Sequence, residues 1–96
     1  MEKLIAYKRM PLWNKQTMPE AVQQKHNTKV GTWGKITVVK GALKFIELTE
    51  DGEVLAEHLF QAGADNPMAQ PQAWHRVEAA TDDVEWYLEF YCRTED

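Results

Sequence analysis

A chain of 96 residues and 11.1 kDa has room for one domain, here residues 1–96, and 44% apolar with 27% charged residues excludes collagen-like, low-complexity and wholly disordered chains. A net charge of −4, with no run of five basic residues, argues against a nucleic-acid binder, and no apolar stretch approaches a membrane span. The single cysteine, Cys92, excludes an internal disulfide and a cysteine-rich metal site, and it suits a reducing cytoplasm.

In chain order, residues 4–8 read as an edge strand. Thr17-Met18-Pro19-Glu20 has the form of a capping box, with Thr17 as N-cap and Glu20 at the third helical position. One short helix over about residues 18–25 follows, then a loop over 27–34 with two glycines. Residues 35–40 are rich in β-branched side chains and read as a strand. Residues 43–48 form the next, and Asp51-Gly52 marks a hairpin to a strand over 54–60. Residues 62–71 carry Gly63, Asn66, Pro67 and Pro71, a turn-rich connection around a short extended piece. Strands over 74–79 and 84–92 complete the series. In the last, Val84, Trp86, Leu88, Phe90 and Cys92 share one face. Eight or so short strands separated by turns predict an all-β sandwich or barrel.

Charge divides unevenly along the chain. Residues 1–48 hold nine basic and three acidic side chains, and residues 49–96 hold two and twelve. Either the halves present two binding faces, or early and late strands lie side by side and their charges meet.

The sequence has no phosphate-cradling glycine loop, no nucleophile elbow and no serine. Its chemistry therefore rests on His26, His58 and His75, since imidazole is a common transition-metal ligand and proton carrier. None of them has a helical H-E-x-x-H spacing, so the fold must assemble any site. His75 alternates with Val77 and Ala79 and points inward, while Arg76 and Glu78 point out. His58 alternates with Val54, Ala56 and Phe60. The competing reading is that an inward histidine is a hydrogen-bonded core residue. Trp13, Trp33 and Trp74 lie near glycine- and proline-rich loops, where they either pack the core or face a ligand.

The string from Pro71 to His75, P-x-x-x-H entering an alternating strand, resembles the second motif of the cupins. Their first motif would fall near residues 26–41, but its H-x-H pair is absent and Gly34 stands where the cupin glutamate is expected. A full three-histidine, one-glutamate metal site is therefore not expected. His26, His75 and His58 remain available for a partial one.

A narrower resemblance spans nearly the whole chain. It is carried by the stretches 8–15, 20–35, 39–50, 56–58, 71–79 and 90–92, including Thr32-Trp33-Gly34-Lys35 and Gln72-Ala73-Trp74-His75-Arg76. These resemble the N-terminal domain of the tellurite resistance protein B family, and more distantly the stand-alone YeaR-like proteins. The resemblance implies a cupin-like double-stranded β-helix, a jelly-roll barrel with one short N-terminal helix. In longer members this domain precedes a methyltransferase domain that uses S-adenosylmethionine. No residue here matches that domain, so no S-adenosylmethionine site and no catalytic residue is carried over.

Three functions follow. The first is a module that binds or senses a small molecule or oxyanion through His75, His26, Trp33, Trp74 and Arg76, with Lys29 and Lys35 adding positive charge. The second is an interaction module, a homodimer formed through the first strand or a partner of a methyltransferase domain. The third is a small cupin enzyme with a divalent transition metal on His75, His26 and His58.

Overall fold

A computed structural model describes residues 3–94. Seven strands and one helical turn make it an all-β fold: β1 (Lys3–Arg9), β2 (Trp13–Asn14), α1 (Glu20–Gln23), β3 (Thr32–Lys40), β4 (Ala42–Leu48), β5 (Val54–Gln61), β6 (Trp74–Ala79) and β7 (Glu85–Thr94). The described strands form two antiparallel sheets, and no closed ring of strands is present among them. In the first sheet β7 is central, with β3 on one side and β1 and β2 end to end on the other. In the second, β4 lies between β5 and β6. Between β3 and β4 the chain passes from one sheet to the other at Gly41, whose φ is +69°.

Alternation accounts for the inner faces. Ile36 and Val38 of β3, Leu43 and Phe45 of β4, Phe60 of β5, Val77 of β6 and Trp86 of β7 meet in one core with Val84 and Trp13. Trp13 packs edge-on against Trp86, with ring centroids 5.1 Å apart, so it is a core residue.

The N-terminal third departs from expectation in one respect. The helix is only four residues long, with Pro19 at its N-cap and no side-chain cap. The hydroxyl of Thr17 is already used: it accepts from the Asn14 amide, while Asn14 Oδ1 accepts from the amides of Gln16 and Thr17. That local turn outcompetes the capping box.

Opposite charges do meet across the fold. Lys15 pairs with Asp82 at 2.6 Å and Lys44 with Glu57 at 3.4 Å, while Lys35 stands opposite Glu89 and Lys40 opposite Glu85. Early basic and late acidic residues thus come to lie side by side in the fold.

Candidate functional site

The site begins with two isolated bridges that extend the sheets. His26 and His75 exchange backbone hydrogen bonds of 2.9 Å each, adding residue 26 to the edge of β6. Gly34 and Ala69 exchange bonds of 3.0 and 2.7 Å, adding the 62–71 connection to the edge of β3. Between these edges lies a cavity of about 110 Å³. His26 and His75 line it together with Val22, Ile36, Val77 and Leu88. Gly34 lines it too, and a Cβ there would make only ordinary contacts of 3.5 Å or more. The missing side chain leaves part of this room.

The two imidazoles are set edge to face, with centroids 4.4 Å apart and planes at 85°. His26 Nδ1 lies 2.8 Å from the Gln24 carbonyl, which can only accept, so that nitrogen donates a proton to it. His75 is 4% exposed, and its Nδ1 is buried without a hydrogen-bond partner. Burial, then the neighbouring His26, push the His75 pKa from 6.5 down to about 4, against a weaker pull from the Ala73 backbone and Glu47. The ring is therefore neutral near pH 7.

His75 also borders a second cavity, of about 280 Å³, with Phe45, Glu47, His58, Trp74 and Gln70. There His58 Nε2 meets Glu47 Oε2 at 2.6 Å. His58 is exposed and bonded to this carboxylate, so it stands apart from the His26–His75 pair. Glu47 carries no motif signal, yet it alternates with Leu43 and Phe45, and that period places it on the inner face. Trp74 borders this cavity with Lys25 Nζ 4.8 Å over its ring.

The other candidates lie elsewhere. Arg76 bonds Glu78 at 2.7 Å and lines neither cavity. Trp33 and Lys35 alternate with the inner residues Thr32, Gly34 and Ile36 and so take the outer face of β3. The Trp33 indole donates to Gln70 Oε1 at 3.3 Å, and the Arg93 guanidinium lies over its ring. Lys29 borders a third cavity, described below. Leu88 and Phe90, placed on the inner face by alternation, both line the smaller cavity. Among the described residues no three of His, Cys, Asp and Glu cluster closely enough to hold a metal ion.

A family model described as a TehB-like domain matches residues 8–88. Over 93 residues, 97% of this chain, the sequence is 61% identical to a probable S-adenosyl-L-methionine-dependent methyltransferase, TehB, of Haemophilus influenzae. The alignment covers 32% of that protein, so the chain spans about a third of the length of the methyltransferase relatives it matches. A crystal structure of TehB from Haemophilus influenzae superposes with a TM-score of 0.91 at 61% identity, over 94% of this chain and 32% of that one. YeaR, an uncharacterized protein of Escherichia coli strain K12, is 30% identical over 90 residues, 88% of this chain and 75% of its own length.

Proposed function

This chain belongs to the TehB-like domain family, and from that premise we propose that it is a binding or sensing module that holds a small molecule between its two sheets and serves a methyltransferase. We read the sheets as the halves of a cupin-like jelly roll with its mouth at His26 and His75. The resemblance to tellurite resistance proteins supplies the setting. The chemistry of methyl transfer is assigned to the relatives' remaining length, and no catalytic step to this chain.

One observation carries the reading: a buried His75 with an unpartnered Nδ1, beside His26, on the wall of a largely apolar cavity. A buried polar atom without a partner costs roughly 1–3 kcal/mol, and a ligand that bonds it recovers that cost. Because the ring stays neutral, it offers an oxyanion no counter-charge. The lining favours a small ligand with an apolar body and one hydrogen-bonding group. A divalent transition metal fits less well. The pair supplies two nitrogens, whereas a catalytic zinc site takes three protein ligands, and His58 is engaged with Glu47.

Phenol serves as a neutral probe of that description. Titrated into the domain, it should shift the ring resonances of His26 and His75 together, and His75→Gln should abolish the shift. A shift that survives His75→Gln unchanged would place the site elsewhere.

A second reading has its own observation. β1 is an edge strand on which Leu4, Ile5 and Tyr7 are exposed, and such an edge supports a homodimer or the docking of a methyltransferase domain. Light scattering at high micromolar concentration tests the homodimer, and a monomer mass there rules it out.

A further inference from the structure

Lys8 and Lys29 are among the lysines that make no ion pair with a described residue. Lys8 stands opposite Phe90 on β7, not opposite an acid, because the bulge at Tyr7 shifts the register of β1. Lys29 lies in the loop before Gly31, away from any strand partner. Neither reaches a carboxylate within ion-pair distance among the described residues. Yet both line one cavity of about 270 Å³, with Tyr7, Asn27 and Thr32 on its walls and no acidic residue among them.

The polar groups of those walls have donors to spare. Tyr7 and Thr32 share one hydrogen bond of 3.3 Å between their hydroxyls. Two hydroxyls bring two protons and that bond uses one, so one O–H remains to donate. The Asn27 amide has no hydrogen-bond partner among the described residues. Thr28, by contrast, is committed: its hydroxyl donates to the Gln70 carbonyl and accepts from the Gln72 amide. Two lysines, a spare hydroxyl proton and an amide line this cavity with no carboxylate among them, a lining that suits an anion.

We propose that this cavity, between Lys8 and Lys29, is a recognition site for a small oxyanion group, either a free inorganic anion or the carboxylate of a small acid. The site is distinct from the His26–His75 pair and needs neither imidazole. It adjoins that cavity through Asn27, Thr28 and Phe90, which border both.

The test titrates sodium selenite and sodium propionate separately into the protein at low ionic strength, followed by amide and Lys Nζ resonances. Saturable one-to-one binding is expected, centred on Asn27, Lys29 and Thr32 and weakened by added salt. The double variant Lys8→Met/Lys29→Met should raise Kd about tenfold or more. Lys40→Met removes one charge outside this cavity and should change Kd less than about twofold. Tyr7→Phe, which removes a hydroxyl proton and no charge, should weaken binding less than the double variant does. His75→Gln should leave it unchanged, so this site and the phenol site fail separately. The tighter of selenite and propionate identifies the source of the oxygens. Absence of saturation in the unaltered protein, or a loss in Lys40→Met matching the double variant, would overturn the proposal.

Discussion

His26 and His75 are joined twice, by a reciprocal pair of backbone hydrogen bonds and by an edge-to-face contact of their rings. The backbone bonds fix where the two Cα atoms stand, and the Phe45 ring packs against the His75 ring with centroids 5.0 Å apart. A residue preceding the glycine loop is thereby held to the start of β6, although 49 positions separate them in the chain. Each of the following expectations depends on packing of this kind.

Acid should destabilise the domain through His75. Its pKa is about 4 when folded and 6.5 when exposed, so between those values the unfolded chain binds more protons. The contribution is fully present above pH 6.5 and is lost as the pH falls toward 4. It amounts to at most about 3 kcal/mol. Urea unfolding at pH 7 and pH 5 measures it, and His75→Gln should flatten the difference. Equal pH dependence in both proteins would show that another group is responsible.

Gly41 and Gly31 separate two costs. Both have positive φ, +69° and +72°, so alanine pays for the left-handed conformation at either, roughly 1–2 kcal/mol. At Gly31 the new Cβ meets nothing within 4 Å. At Gly41 it would lie 2.3 Å from Thr81 Oγ1 and 2.5 Å from Asp83 Oδ1. Thr81 cannot yield freely, because its hydroxyl accepts from the Ala42 amide at 3.0 Å. Gly41→Ala should therefore cost clearly more than Gly31→Ala in denaturant titration. Equal losses would refute the steric part.

Trp86 and Leu43 should respond differently to truncation. Leu43 is fully buried in the core, and Leu43→Ala should cost about 2–5 kcal/mol. Trp86 is as deeply buried, but its indole N–H has no partner. Trp86→Phe loses volume and simultaneously removes an unsatisfied donor, so the two effects oppose each other. A net cost smaller than that of Leu43→Ala is expected, read from the midpoint of chemical denaturation. A loss as large as that of Leu43→Ala would mean the indole N–H has a partner in solution.

Period and turn chemistry carried most of the architecture. Trp74–Ala79 lies where alternation places it, and the Asp51-Gly52 turn joins β4 to β5 with Gly52 at φ +92°. Those signals are local, and a strand's own residues write them. The helix was overestimated because Thr17 has two local uses, and its spacing to Asn14 is as good as its spacing to Glu20. The inward placement of His75 was legible from Val77, and its proximity to His26 follows from the loop before β3. His58 shows the limit. Its alternation with Phe60 is real, yet Phe60 is buried in the core while His58, two residues earlier on the same edge strand, opens onto the second cavity and bonds Glu47. The unpaired state of Lys8 was not legible either, because it depends on a bulge that changes which residue of β7 it faces.

The order of strands in the first sheet also has a consequence in time. β7 is the last of the described strands to be made, and it is the one that β1, β2 and β3 all need. Lys3 pairs with Thr94, so the outermost contact joins the first described residue to the last. The β4–β5 hairpin can form as soon as it is synthesised, but β1 must wait, unpaired, for almost all of the described residues. Such non-local closure makes for slow folding and a long exposure of Leu4, Ile5 and Tyr7. Lys3, Lys8 and Arg9 keep that waiting strand charged and solvated during the interval.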